Sequence, residues 1–251
     1  MRLTVVGSAP AYTSRPGHAS SCYLVEHAST SVLFDMGQGS FSELWRHGSL
    51  AGIAAIFISH NHADHNVDLI PLRHWVRYQN RGYGPALFAP TELRARIGAY
   101  QANEGFLSDL RGETLAPRTY AVGDVRVEAA PVTHIPDSWA FRVSAASDPE
   151  IGLVYSGDCG RADDLLPLVH AGDTLLCEAA FGSDGTDPSG IHLTAAEAAR
   201  IAEVGAARRL VLTHILVERD PPAARAAAAA IFDGPVLLAE PGLRVNIDGS
   251  P

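Results

Sequence analysis

The sequence predicts an α/β protein that forms a single domain over residues 1–251, with mixed β-sheets flanked by helices. Short apolar runs bounded by Gly, Pro and Ser alternate along the chain with segments of helical periodicity. Hydrophobic residues make up 47% of the chain and charged residues 19%, which supplies a large core and excludes a disordered protein. The sequence contains no evident linker, charge run or short-period repeat that would divide the chain.

The first half of the chain is predicted to contain strands at residues 2–6, 21–25, 31–34 and 53–59. The last of these runs, IAAIFIS, is continuously apolar, as expected for a strand that is covered on both faces. Residues 67–79 have helical periodicity, with Pro71 near the first turn, where proline is tolerated. Residues 98–117 have weak periodicity, which favours a helix with a loop and a candidate lid.

The second half of the chain has clearer patterns. Helices are predicted at residues 194–204 and 221–232. Thr194, followed three residues later by Glu197, has the pattern of a capping box, so the first of these helices should begin there. Strands are predicted at residues 125–130, 139–143, 151–155, 174–177, 209–213, 236–238 and 243–247.

Charge and cysteine content exclude several classes of protein. The chain has 19 Lys and Arg against 28 Asp and Glu, a net charge of −9, so its surface as a whole does not attract a polyanion such as tRNA. Three cysteines are too few for a disulfide framework or a Cys-rich zinc knuckle. The first residues lack a signal-peptide pattern, and no apolar run reaches the ~18 residues of a membrane span. We therefore expect a cytoplasmic protein with no membrane partner.

A dense histidine cluster, SHNHADH at residues 59–65, directly follows the apolar strand. His60 and His62 are spaced to chelate one ion, and Asp64 and His65 can reach a second ion nearby. Zinc prefers imidazole nitrogen and carboxylate oxygen, and a catalytic site leaves one position open for water. The alternative is a solvated loop without metal. The position at a strand end, where sites of α/β proteins collect, favours the metal site.

Three further candidate ligands, His134, Asp158 and His214, each lie just after a predicted strand. One such residue alone usually caps an element or packs in the core. Three of them at three strand ends, together with the histidine cluster, favour a two-metal site. The other histidines lack this context and are predicted to be surface or packing residues: His18, His27, His47, His74 and His170.

The order of these candidates along the chain is similar to the metallo-β-lactamase superfamily. The resemblance spans nearly the whole chain and includes LFDMGQG at residues 33–39, which resembles the superfamily's Asp-x-Gly turn. It implies a four-layer αβ/βα sandwich with two divalent metal ions at the edge between the sheets. It also implies the ligands: His60, His62 and His134 on one metal, Asp64, His65 and His214 on the other, and Asp158 bridging both.

Three segments of the C-terminal half resemble the tRNase Z and related phosphodiesterase branch, which includes short bacterial cyclic-nucleotide phosphodiesterases. They are CEAAF at 177–181, GIHLTAAEA at 190–198 and LTH at 212–214. The resemblance implies that His192 lies over the metals and interacts with Glu178. A histidine held by a carboxylate is a suitable proton donor for a leaving alkoxide. The alternative is that His192 merely caps or packs at a helix start.

One departure from this branch concerns the substrate. The nuclease relatives carry a long Gly/Pro-rich arm that grips tRNA, commonly between the positions that match His134 and Asp158. Only 23 residues separate those two positions here, enough for a hairpin. Together with the net charge, this makes long structured RNA an unexpected partner. A small or cyclic phosphodiester, or the end of a short nucleic acid, is the expected substrate.

Other branches fit the sequence less well. The best-known β-lactamases have a cysteine ligand where this chain has Asp158, and the side chain of the adjacent Cys159 should point away from the metals. Redox di-iron flavoproteins carry a glutamate where this chain has His62, so zinc is favoured, with manganese or iron as alternatives. A binding module without catalysis would require a lost ligand, and all the ligand positions are filled.

The sequence therefore predicts a metal-dependent hydrolase, a phosphodiesterase that acts through a hydroxide held by two metal ions. Asp64 is expected to bind metal and to orient the water or accept its proton. His192, oriented by Glu178, is expected to protonate the leaving oxygen. The alternatives are a tRNase Z-like 3′-end ribonuclease, or a hydrolase of a lactone, thioester, sulfate ester or β-lactam.

An aromatic segment, WVRYQNRGY at residues 75–83, follows the metal loop. It could line a nucleoside pocket by stacking, with Arg73, Arg77 or Arg81 on a phosphate. It could equally form part of the core or the surface of a homodimer. A role in the core or at a dimer surface is favoured over a nucleoside pocket.

Overall fold

Two β-sheets face each other, and helices cover the outer face of each, in a computed structural model that describes residues 1–47, 50–80, 82–183, 185, 189–216 and 218–247. The strands are β1 Arg2–Gly7, β2 Cys22–His27, β3 Thr30–Phe34, β4 Ile53–Phe57, β5 Ala86–Phe88, β6 Arg118–Val122, β7 Val125–Val132, β8 Ser138–Ala145, β9 Gly152–Tyr155, β10 Thr174–Glu178, β11 Arg209–Thr213, β12 Val236–Leu238 and β13 Arg244–Asn246. The helices are α1 Ser40–His47, α2 Ala63–Asn66, α3 Leu69–Gln79, α4 Leu93–Tyr100, α5 Ala195–Val204 and α6 Pro221–Ala229.

Each sheet combines an antiparallel and a parallel part. The first has the order β13-β1-β2-β3-β4-β5, and β3, β4 and β5 run parallel. The second has the order β12-β11-β10-β9-β8-β7-β6, and β9 to β12 run parallel. The carboxyl ends of parallel strands meet at one edge of a sheet, which is where sites of α/β proteins form.

Three apolar clusters separate four layers, which confirms the predicted sandwich. The cluster between the sheets joins Phe34 and Phe57 of one sheet to Phe141 and Tyr155 of the other. A second cluster packs α5 and α6 on the outer face of the second sheet. A third packs α1, α3 and α4 on the outer face of the first sheet. Strand β9 is buried throughout, and β4 is buried except at Ala54, in agreement with their continuous apolar runs.

The capping box of α5 is confirmed. The Thr194 side chain accepts the Glu197 backbone N–H, and the Glu197 carboxylate accepts the Thr194 backbone N–H at 2.8 Å. The sequence does not predict α1, α2, β5 or β6, since these elements are short. None of the helices in the described part of the chain has the length and apolar character that crossing a bilayer would require.

Residues 98–117, the candidate lid, and residues 75–83, the aromatic segment, both pack into the helical layer on the outer face of the first sheet. Within 98–117, Phe106, Leu107 and Leu110 are buried against that layer. Within 75–83, Val76 is buried, and Trp75 and Tyr83 pack partly against the same cluster, in agreement with the core interpretation. Arg73 and Arg77 form ion pairs with Asp109, and Arg81 lies outside the described residues.

Candidate metal centre

The predicted ligands lie at the carboxyl ends of strands from both sheets. His60 and His62 follow β4, and Asp64 and His65 belong to the single turn of α2. His134 follows β7, Asp158 follows β9 and His214 follows β11. The structure thus brings together all the residues that the sequence singles out as metal ligands, across the edge where the two sheets meet.

The first group of donor atoms comprises His60, His62, His134 and Asp158. Nε2 of His60 and Nε2 of His134 lie 3.0 Å and 3.4 Å from Nδ1 of His62. Oδ2 of Asp158 lies 3.5 Å from Nε2 of His60 and 3.9 Å from Nε2 of His134. Four donors therefore surround one small volume.

The second group comprises Asp64, His65 and His214. Nε2 of His214 lies 3.2 Å from Oδ2 of Asp64 and 3.3 Å from Nε2 of His65. The other carboxylate oxygen of Asp158, Oδ1, lies 3.4 Å from Nε2 of His65 and 3.7 Å from Nε2 of His214. Asp158 therefore presents one oxygen to each group, as a bridging ligand would.

The spacing and chemistry of these donors fit a pair of transition-metal ions. Two ligands bound to a tetrahedral zinc at 2.0–2.1 Å lie roughly 3.3–3.4 Å apart, close to the separations between these atoms. Oδ1 of Asp158 is buried and has no hydrogen-bond partner among the described residues. A buried carboxylate oxygen without a donor is costly unless a cation neutralises it. Imidazole and carboxylate ligands suit zinc and also manganese or iron.

Hydrogen bonds to the far side of the histidine rings orient them toward the metal positions. Nδ1 of His134 lies 2.7 Å from the backbone carbonyl oxygen of Ile191, and Nδ1 of His60 lies 3.0 Å from Oγ of Ser59. Nδ1 of His65 lies 2.7 Å from a carboxylate oxygen of Asp35. A carbonyl or carboxylate acceptor fixes the proton on Nδ1, which directs the Nε2 lone pair into the cluster.

Burial and charge set the protonation states that metal binding needs. Burial lowers the pKa of His60, His62 and His134, which favours the neutral imidazole that ligates metal. Burial opposes ionisation of Asp158, but the nearby histidines, His214 and His65 first among them, hold its pKa well below the usual range. Burial likewise opposes ionisation of Asp64, yet the hydrogen bond from His214 and that from His65 lower its pKa strongly.

Asp35 contacts the candidate metal ligand His65, and the sequence assigned it no role beyond its membership of the Asp-x-Gly turn. It is fully buried and accepts hydrogen bonds from the Ser59 backbone N–H at 2.6 Å, the Tyr155 hydroxyl at 2.6 Å and His65. Burial disfavours the charged form of His65, but Asp158 and Asp35 outweigh this and raise its pKa. The carboxylates of Asp35 and Asp158 therefore stabilise positive charge at the position of the His65 ring. An aspartate directly after an apolar strand was the available signal.

His192 and Glu178 meet as the resemblance implies. Nδ1 of His192 lies 3.0 Å from Oε1 of Glu178, and also 3.9 Å from Oδ2 of Asp158. Glu178 is buried and accepts the backbone N–H groups of Cys159 at 2.8 Å and Ala180 at 3.2 Å. Because Asp158, His192 and His214 also satisfy the spacing of a metal site, the geometry permits His192 to act as a ligand or as a proton donor.

Two sequence arguments about neighbouring branches agree with the structure. Sγ of Cys159 donates to the backbone carbonyl of Arg161 at 3.1 Å, so the thiol is not directed at the metal centre. Between His134 and Asp158 the chain forms only the antiparallel pair β8 and β9 with its connections, the hairpin that the short spacing allows.

Comparison with known proteins agrees with this geometry. The family described as "Beta-lactamase superfamily domain" matches residues 30–215. An uncharacterized protein of Mycobacterium leprae is 33% identical over 94% of this chain and 85% of its own length. The ribonuclease Z of Haloferax volcanii is 25% identical over 98% of this chain and 95% of its own length.

Solved structures of the same fold cover almost the entire chain. The metallo-β-lactamase fold protein YhfI of Bacillus subtilis, which is described as a probable metallo-hydrolase, superposes with a TM-score of 0.86 at 25% identity, covering 98% of this chain and 99% of YhfI. A diphosphatase of the PhnP family has a TM-score of 0.74 at 19% identity, covering 98% and 97% of the two chains. The short form of human tRNase Z has a TM-score of 0.73 at 23% identity, covering 98% and 99%.

Proposed function

The chain belongs to the metallo-β-lactamase superfamily, and on that premise we propose that it is a metal-dependent phosphodiesterase for a small or cyclic nucleotide-type phosphodiester. Its homologues in this fold are hydrolases, and its relatives are of the ribonuclease Z and phosphodiesterase type. The single observation that carries the proposal is the contact of His192 with Glu178 beside Asp158. A phosphodiesterase with an alkoxide leaving group depends more strongly on such a proton donor than a lactonase or a thioesterase does.

His192 is placed to deliver a proton. Its Nδ1–H donates to Glu178. The backbone N–H of Ala180 donates to the other carboxylate oxygen of Glu178 and holds that carboxylate in position. This arrangement puts Nε2 on the opposite side of the ring and stabilises the imidazolium form, as a general acid requires. A ribose alkoxide is a poor leaving group and needs that proton.

The other residues of the centre hold the metals and the attacking water. Divalent ions bound by the histidine and aspartate groups would lower the pKa of water toward ~7 and neutralise phosphate oxygens. The neighbouring His214 and His65 lower the pKa of the Asp64 carboxyl group, so Asp64 remains ionised at neutral pH. It can therefore serve as a ligand and as the acceptor that orients the water.

A small substrate is supported by three features of the chain. The net charge is −9, and the β8–β9 hairpin occupies the place where nuclease relatives commonly carry a tRNA-gripping arm. The alignment with the Haloferax ribonuclease Z extends over 302 positions, although this chain has 251 residues, so part of that ribonuclease has no counterpart here. The second candidate function, a tRNase Z-like 3′-end ribonuclease, is favoured by the ribonuclease Z relatives themselves.

A substrate panel on zinc- or manganese-loaded protein tests the proposal. It comprises bis-p-nitrophenyl phosphate, cyclic AMP, 2′,3′-cyclic nucleotides, a precursor tRNA, a lactone and nitrocefin. We expect turnover of the phosphodiesters, and His170→Ala, an exposed histidine outside the centre, should retain it. Cleavage of the tRNA alone would establish the second candidate. Turnover of the lactone or nitrocefin without any phosphodiester would refute both.

A further inference from the structure

A pocket of about 70 Å³ lies directly beside the candidate metal centre. One wall is the loop between β1 and β2, which contributes Thr13, Arg15 and His18, and the other wall contains His214 and Arg219 after β11. We call these residues the basic pocket. Because His214 belongs both to the pocket and to the candidate metal centre, the two sites are contiguous. His18, predicted to be a surface or packing residue, therefore lies beside the site.

The loop that carries Arg15 contains no helix or strand between residues 10 and 18, yet hydrogen bonds hold it in place. The Tyr12 hydroxyl donates to the carboxylate of Glu218, which joins the two walls of the pocket. Nε2 of Gln38 donates to the backbone carbonyl of Ala11 at 2.8 Å. Oγ of Ser20 donates to the backbone carbonyl of Pro10 at 3.0 Å. The protein's own contacts thus position the walls relative to each other.

The charge of the pocket is opposite to that of the molecule. The chain has a net charge of −9, but two arginines and two histidines line the pocket, and Glu240, which is exposed, is the one acidic residue among its described lining residues. Arg15 has no side-chain ion pair with any residue in the described ranges. The guanidinium of Arg219 lies over the Phe181 ring, with Cζ 5.4 Å from its centroid. Guanidinium groups donate paired hydrogen bonds to phosphate oxygens.

The volume of the pocket selects a compact group. A single water needs about 10–15 Å³ by the same measure, so the pocket has room for on the order of five heavy atoms, the number in a phosphate. A larger cavity of about 410 Å³ is lined by Pro136, Trp139 and Asn61, among others, and Asn61 lies between the candidate ligands His60 and His62 in the sequence. A cavity of that size can hold a nucleoside. The basic pocket is too small for one.

We propose that the basic pocket binds a second phosphate of the substrate, one that is not cleaved, through Arg15 and Arg219. This inference rests on the proposed phosphodiesterase function and narrows it to nucleotides that carry a terminal phosphate near the scissile phosphodiester. A cyclic mononucleotide, which has one phosphate, occupies the metal centre and leaves the basic pocket without a ligand.

The test compares the dinucleotide ApA with its 5′-phosphorylated form, pApA, on the metal-loaded enzyme. The ratio of their kcat/KM values isolates the contribution of the terminal phosphate. We expect a ratio well above one for the wild type, and a fall of roughly tenfold to hundredfold, through KM, in Arg15→Met and Arg219→Met, as expected for a lost charged hydrogen bond. Arg225→Met removes an exposed arginine of α6 that does not line the pocket, and should keep the wild-type ratio.

A ratio near one in the wild type would overturn the inference, as would equal losses on both dinucleotides in the arginine variants. Calorimetric binding of adenosine 3′,5′-bisphosphate and of 3′-AMP supplies a measurement without turnover. Tighter binding of the bisphosphate, lost in Arg15→Met, supports the pocket, and equal affinities contradict it. If no phosphodiester of the substrate panel is cleaved, the proposed function fails, whereas the calorimetry still decides the pocket.

Discussion

At the residue scale, the candidate metal centre depends on which atom of each ligand side chain contacts a neighbour outside the centre and which atom faces the metal positions. His60, His65 and His134 each use Nδ1 for a neighbour outside the cluster and turn Nε2 inward. His62 instead faces the other ligands with Nδ1. Asp158 divides its two oxygens between the groups. The rings of His60, His65 and His134 are each held by a specific partner, so a conservative change of that partner should misdirect the ligand.

Replacing Asp158 should disturb metal binding more than any change at the surface. We expect as-isolated protein to contain close to two transition-metal ions per chain, zinc above all. Asp158→Ala should hold fewer, because removing the shared carboxylate leaves two cations facing each other. Inductively coupled plasma mass spectrometry measures the content, and Asp163→Ala, a change in the short turn Ala162–Leu165, is the control. Active as-isolated protein without metal would rule out the mechanism.

His192→Ala should separate the role of proton donor from that of metal ligand. As a general acid, His192 should contribute ~10²–10⁴-fold to kcat on a natural nucleotide and much less on a p-nitrophenyl ester, because p-nitrophenolate leaves without protonation. Metal content should stay unchanged. Glu178→Gln should show the same pattern more weakly, since it only orients and charges the imidazole.

Three other results would speak against this role of His192. A loss of metal in His192→Ala would assign it to the third donor group with Asp158 and His214. An equal loss on both substrates, with full metal content, would remove it from the reaction. A lowered melting temperature together with that equal loss would identify a packing residue at the start of α5.

At the element scale, the site depends on how neighbouring strands are aligned. Asp173, just before β10, is fully buried and accepts Nε and Nη2 of Arg142 in β8 at 2.7 Å and 2.9 Å. The same carboxylate accepts the backbone N–H of Gly152, where β9 begins, at 2.6 Å. One buried ion pair therefore ties three strands together, and two of these strands, β9 and β10, lead to Asp158 and Glu178.

Asp173→Asn should reduce the free energy of unfolding by about 3–5 kcal/mol, because it leaves the Arg142 charge buried without its partner. Urea unfolding at a fixed metal concentration measures the change. Glu26→Gln breaks an ion pair with Arg2 that is 2.8 Å long, in which the Glu26 and Arg2 side chains are 31% and 46% exposed. This control should lose only about 0–1 kcal/mol. Similar losses in both variants would contradict a special role for the buried pair.

At the scale of the whole molecule, the metal centre joins the two sheets. His60 to His65 come from the first sheet's edge, whereas His134, Asp158 and His214 come from the second. Metal ions bound to both sets would bridge the sandwich at the edge where the apolar cluster between the sheets ends. Ligand binding to the folded state alone stabilises it by mass action.

Removing the metals should therefore destabilise the entire fold. Prolonged chelation should lower the melting temperature, and a free metal concentration 100 times the dissociation constant corresponds to about 2.7 kcal/mol of stabilisation. Differential scanning calorimetry with and without added zinc measures the shift. Asp158→Ala should respond less to zinc than the wild type does. An identical melting temperature for chelated and loaded wild-type protein would contradict this bridging role.

The sequence by itself determined the class of fold, the cap of α5 and the identity of the candidate ligands. These are local patterns: apolar strands end within three residues before His60, Asp158 and His214, and spacing within a single loop brings His60 and His62 together. Their roles in binding and catalysis remain predictions from that pattern and from the family resemblance.

Only the tertiary structure decided what surrounds those ligands. The partner of the His134 ring is a carbonyl 57 residues away at Ile191, and Asp35 reaches Tyr155 across 120 residues. The basic pocket likewise joins Arg15 to Arg219 from opposite ends of the chain. Sequence periodicity reports only neighbours within a turn or a strand. Contacts between distant segments depend on how the two sheets pack, because the apolar cluster between them sets which loops meet at the shared edge.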